Sequence, residues 1–216
     1  PALGVCRSLT RAGTTIASGP AVRIFLGGYQ GSTDTNDFTR YTRVAGLTGT
    51  TAIACCVVMI EGTPVTAKYY HGLYCRRLTL AGSRLVATAS DLWLRALQRR
   101  DNNYAEVRWV DMTRMDDTHA LVCFKNEIVG NANAAQCNSV HVGPSGALHA
   151  GTPRTFQAPT AEYISVTRAP GDDPQKALVC YRAGGEANYP GTCAALMWQG
   201  ATTTAASCAA CAAGQW

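Results

Sequence analysis

One apolar, cysteine-bearing pentapeptide occurs twice in this chain. Ala120-Leu121-Val122-Cys123-Phe124 returns as Ala177-Leu178-Val179-Cys180-Tyr181. A Thr-Arg pair precedes each copy (Thr113-Arg114, Thr167-Arg168), and an acidic pair lies between (Asp116-Asp117, Asp172-Asp173). A second cysteine follows each, Cys137 after 14 residues and Cys193 after 13. A weaker copy lies upstream, where Thr42-Arg43 precedes Ala52-Ile53-Ala54-Cys55 and Cys75 follows a longer loop. The segments after the second cysteine align as well: Cys6-Arg-Ser-Leu, Cys75-Arg-Arg-Leu, Cys137-Asn-Ser-Val and Cys193-Ala-Ala-Leu. The chain therefore reads as three full units preceded by the back half of a fourth. Successive second cysteines stand 69, 62 and 56 residues apart, a fixed scaffold with loops of different length. A unit this small does not hold together by itself.

Each unit divides into four short strands, a to d, separated by turn residues. In the last unit these are about 163–168, 176–182, 192–199 and 202–210, with turns at Pro170-Gly171-Asp172-Asp173, Gly184-Gly185 and Gly200. In the preceding unit the c–d turn is Gly143-Pro144-Ser145-Gly146. The expected fold is all-β, in tandem four-stranded antiparallel units resembling β-propeller blades. Stacked β-sandwiches or a β-solenoid are the alternatives. The boundaries fall at 1–40 (half-unit and linker), 41–104, 105–161 and 162–216. Three and a half units lie at or below the small end of propeller size, so the units form part of a longer chain or an open array. Residues 90–100 carry a second option, a helix capped by Ser90 or Asp91. Alignment with the end of strand d favours strand or loop.

Ten cysteines in 216 residues point to an oxidising compartment. Cys123 and Cys137 fall on neighbouring strands of one hairpin, as do Cys180 with Cys193 and Cys55 with Cys75. Facing positions of an antiparallel pair come near disulfide reach. Closing a loop of about 14 residues removes roughly 3 kcal/mol of unfolded-chain entropy. Cys56 should turn to the face opposite Cys55, because adjacent strand residues alternate. Cys6 aligns with a second cysteine, and its partner lies upstream or is Cys56, Cys208 or Cys211. Cys208-Ala-Ala-Cys211 has zinc-type spacing, but no second pair supports it, so structural pairing is the better reading.

The remaining chemistry is sparse. The net charge of +5 is spread over scattered arginines, with pairs only at Arg76-Arg77 and Arg99-Arg100. Nucleic-acid binders concentrate such charge in a stripe with aromatics, so no nucleic-acid partner is expected. No apolar run is long enough for a membrane helix, and no membrane insertion is expected. Asn138-Ser139-Val140 fails as a glycosylation sequon, leaving Thr202, Thr203 and Thr204 as candidates for O-glycosylation. Thr51-Ala52-Ile53-Ala54-Cys55 superficially resembles the histidine segment of chymotrypsin-like proteases. Ala54 occupies the position of the base, so the triad has no proton acceptor. Neither a Gly-x-Ser-x-Gly elbow nor His-Glu-x-x-His occurs.

His141 and His149 face each other if the c–d turn centres on Ser145, and read as solvated imidazoles rather than metal ligands. The recurring acidic pairs read as turn chemistry, since Asp side chains bond the backbone two residues on. Asp34-Thr35-Asn36-Asp37 is the better calcium loop, though without an EF-hand pattern. No metal or other cofactor is expected. Candidate glycan contacts are Tyr69 and Tyr70 in the long b–c loop of the first unit, and Glu186, Asn188 and Tyr189 in that of the third.

The pattern Thr-Arg…Ala-Leu-Val-Cys-Tyr…Gly-x-Cys…Leu…Gly resembles tandem disulfide-rich repeats of large secreted and surface proteins of algae and other protists. Extracellular flagellar hairs (mastigonemes) and adhesive fibrils contain such arrays. The resemblance covers almost the whole chain, and the first unit departs from it at Ala54-Cys55-Cys56. It implies an extracellular or cell-surface, non-catalytic structural role, with no catalytic residues to carry over. The partners would be other copies of the chain or neighbouring repeats. A carbohydrate-binding or adhesion module is the alternative function, and a secreted hydrolase the third.

Overall fold

The computed structural model of the chain is all-β and describes residues 5–12, 14–24, 38–61, 69–82, 84–98, 105–128, 131–157, 161–171, 175–183, 191–199 and 202–204. A hairpin, β1 (Val5–Ala12) and β2 (Thr15–Arg23), comes first. The first full sheet runs β3 (Phe38–Gly46), β4 (Thr51–Glu61), β5 (Tyr69–Ala81), β6 (Arg84–Gln98) in chain order. The second contains β7 (Ala105–Arg114), β8 (His119–Ile128), β9 (Asn131–Val142) and β10 (Leu148–Ala150), with β11 (Arg154–Gln157) also paired to β9. The third contains β12 (Ala161–Arg168), β13 (Lys176–Ala183), β14 (Gly191–Gln199) and β15 (Thr202–Thr204). Every pairing is antiparallel, so each sheet is one tandem unit and the hairpin is a c–d pair.

The units stack face to face. One core joins the hairpin to the first sheet through Cys6, Ile24, Cys56, Val58, Tyr74 and Leu78. A second joins the first and second sheets, with Ile53, Cys55, Val57 and Cys75 meeting Val110, Val122, Phe124 and Val140. A third joins the second and third, with Leu121, Cys123 and Cys137 meeting Ile164, Val179, Tyr181 and Leu196. Alternate residues of β4 thus enter different cores: Ile53, Cys55 and Val57 face forward, while Ala54, Cys56 and Val58 face back. A strand buried on both faces must be apolar throughout, which explains runs such as Ala-Leu-Val-Cys-Phe. The cores link sheets in chain order, and among the described residues none joins the last to the first. Among the described residues the blade-like units form an open stack.

Cys55–Cys75, Cys123–Cys137 and Cys180–Cys193 are disulfides, each joining strands b and c of one unit at directly facing positions, with Cα atoms 4.1, 4.1 and 4.0 Å apart. Three bonds inside single units fit an oxidising compartment.

One alternative is excluded, with the preferred strand reading borne out, and two sequence readings are corrected. The helical option at residues 90–100 is excluded over its described part, because β6 runs through Gln98 in register with β5. Leu92 and Leu94 both pack on the forward core with Trp93 exposed between them, a period of two. Tyr69 and Tyr70 belong to β5, opposite Glu61 and Ile60, and not to a loop. Finally, Thr42-Arg43 is not equivalent to Thr113-Arg114. Arg43 pairs with Cys55, as Asp111 pairs with Cys123 and Ser165 with Cys180. The weak upstream copy is shifted three residues along its strand, and the Thr-Arg match there is coincidental.

Candidate functional site: an aromatic groove across the units

Strand a of every unit carries a β-bulge at the same place. The register slips between Arg40 and Arg43, between Arg108 and Asp111, and between Glu162 and Ser165. The first inserted residue is aromatic each time: Tyr41, Trp109 and Tyr163, with φ of 51°, 53° and 51°. Left-handed backbone is unfavourable for a residue with a β-carbon, by roughly 1–2 kcal/mol. Its recurrence in three units marks a feature of the repeat, since bulges re-aim side chains.

The bulges bring the three rings into a row along the edge of the stack. Tyr41 and Trp109 lie 6.0 Å apart between centroids, and Trp109 and Tyr163 4.2 Å apart. They line a groove of about 410 Å³ with Arg43, Val110, Asp111, Ile164 and Ser165. Tyr163 is 58% exposed, and the Arg182 guanidinium lies 5.8 Å from its ring centre. Asp111 fixes the polar side. Its Oδ1 accepts from Arg43 Nε at 3.1 Å and its Oδ2 from the Val166 backbone N–H at 2.9 Å, so one carboxylate ties three units together. Aromatic faces beside a charged donor and acceptor suit a ligand with both C–H faces and hydroxyls. Sequence reasoning missed this row because the shifted alignment hid it. Tyr41 and Trp109 each stand 14 residues before the first cysteine of their unit, a match that would have found two members of the row; Tyr163 stands 17 before Cys180, behind a longer a–b turn.

A second cluster is a row of histidines. His119, His141 and His149 occupy facing positions on β8, β9 and β10, with ring centres 5.1 and 5.2 Å apart. Sequence pairing identified His141 with His149 but not His119. Val140, on the opposite face, is in the core. Asp116 accepts from the backbone N–H groups of Thr118 at 2.7 Å and His119 at 2.8 Å, the turn chemistry expected of the acidic pair, and contacts His119 Nδ1 at 2.9 Å. Burial acts to raise the Asp116 pKa, but these hydrogen bonds outweigh it and hold the carboxyl below its usual range. Burial, then His119 and His149, push the His141 pKa down. Among the described residues no three His, Cys, Asp or Glu side chains converge on a metal position.

The other predicted positions are dispersed. Cys6 and Cys56 are free, buried thiols in one core. Burial raises both pKa values, Cys56 to about 12, with Cys6 adding to the rise and Arg76 opposing it. Thr202, Thr203 and Thr204 form β15. Glu186, Asn188, Tyr189, Cys208, Cys211, Asp172, Asp173 and the Asp34–Asp37 loop lie outside the described residues. No protein-family model matches the chain, and a search of curated proteins finds no significant relative.

Proposed function

We propose that the chain is a non-catalytic structural module of an extracellular filament, matrix or cell surface. The observation that carries this reading is the stacking rule: in the first and second units the disulfide-bearing face is covered by the next unit, using the same strands and positions. Such an interface propagates along an array, because each added unit presents the face that the following one needs. In-unit staples suit a chain that works outside the cell, and the resemblance to extracellular fibril repeats points the same way. Sedimentation of the disulfide-intact protein over a range of concentrations tests it. Concentration-dependent assembly is expected; a monodisperse monomer up to millimolar concentration contradicts the reading.

The aromatic groove favours a second reading, a carbohydrate-binding or adhesion module with Tyr41, Trp109 and Tyr163 as the platform. Replacing the exposed Tyr163 with Ala should then weaken glycan binding about tenfold, while costing stability no more than the lost Trp109 ring contact, about 0.5–1.5 kcal/mol. A glycan array with no hits removes this reading.

A further inference from the structure

The stack has two outer faces among the described residues, and the repeat states what each would meet. The position three residues after the second cysteine is Leu78, Val140 and Leu196 in the three full units. Each is buried against the preceding unit, at 1%, 0% and 4% exposure. The equivalent residue of the hairpin is Leu9, which is 70% exposed. Cys6 faces the first sheet, so Leu9, three positions on, faces away from it. Val5 and Ile16 are exposed alongside, at 50% and 67%. At the other end the relation is reversed. Cys55, Cys75, Cys123 and Cys137 are sealed beneath the next unit at 0–1% exposure, whereas Cys180 and Cys193 are only half-buried. Leu178 is half-buried on the same face, and Ala195 opposite it is exposed.

We infer that these two faces bind each other between copies of the chain. The outer face of hairpin β1–β2, centred on Leu9, docks on the Cys180–Cys193 face of a second copy and continues the internal stacking. The occupant follows from equivalence: Val140 packs with the core containing Cys55–Cys75, and Leu196 with the core containing Cys123–Cys137. Among the described residues, Leu9 alone of these positions has no unit packed over it, and Cys180–Cys193 alone of these disulfides. Two different faces in contact make a heterologous, head-to-tail interface, which adds copy to copy and gives a filament where the rotation between copies does not close and a ring where it does. Exposed Arg7 and Arg23 at one face and Lys176 at the other are all cationic, so added salt should strengthen the contact. This inference rests on the assembly reading and names its faces.

Two variants of the disulfide-intact protein test it by sedimentation velocity. Leu9→Lys blocks the hairpin face and Ala195→Lys the disulfide face, each adding a cation to a contact between two cationic faces. Both positions are exposed, and circular dichroism with a thiol count verifies folding; Ile16→Lys replaces Leu9→Lys if that variant misfolds. Each variant alone should need at least about a tenfold higher concentration to associate. An equimolar mixture should form dimers and nothing larger, because it restores one good pair of faces. Assembly that persists in both variants, or a mixture that stays monomeric, overturns the head-to-tail interface while leaving assembly standing. A wild-type protein that stays monomeric overturns both.

Discussion

Asp111 shows how one side chain can hold a stack together. Its ion pair with Arg43 is largely solvated and contributes little by itself, since Arg43 is 45% exposed. The bond from the Val166 N–H matters more, because this amide sits at a part-buried junction where losing its acceptor is costly. Asp111→Ala should therefore destabilise by about 1–3 kcal/mol, whereas Asp111→Asn, which keeps an acceptor oxygen, should cost under about 1 kcal/mol. Urea denaturation measures both, and equal losses would assign the stability to the ion pair. Cys56 makes the pH prediction. Its folded pKa is raised from near 9 to about 12, so the unfolded chain releases the proton first as pH rises. The stability it contributes is full below about 9 and declines between about 9 and 12, at no more than ~1.4 kcal/mol per pH unit. Native Cys56 should accordingly resist alkylation at pH 8 and react on unfolding.

At the scale of the element, the turn Gly143-Pro144-Ser145-Gly146 joins the second unit to the first. Gly146 has φ of 81°, and a β-carbon there would collide with the Arg77 guanidinium of β5. Gly146→Ala should cost about 1–3 kcal/mol, read as a lower Tm. If Arg77→Ala in the same chain restores none of the loss, backbone strain alone explains it. Strands b and c were legible in the sequence, because the cysteine pairs fix register and continuous apolar runs mark strands covered on both sides. Strand a was read less well. Its bulge inserts an extra residue, which breaks the period of two, and the chance Thr42-Arg43 pair drew the first unit's alignment three residues off. The aromatic row vanished with that misalignment. The histidine row was half legible, since His141 and His149 share a hairpin whose turn could be guessed. His119 joins them through the β8–β9 register, and spacing along the chain does not reveal that.

For the whole molecule, the sheets behave as layers, each covering its neighbour's disulfide face. Stability in such a stack is the sum of modest unit terms and interface terms, and the staples lower the unfolded-state entropy of units too small to fold alone. The account depends on each staple lying inside one unit, between strands b and c, because only that places one disulfide on the forward face of each of the three full units. Non-reducing peptide mapping of the native protein tests this most directly. It should recover Cys55 linked to Cys75, Cys123 to Cys137 and Cys180 to Cys193, with Cys6 and Cys56 as thiols. Links running from one unit to another, or free thiols at Cys123 and Cys180, would contradict the four-stranded unit and the stack built from it.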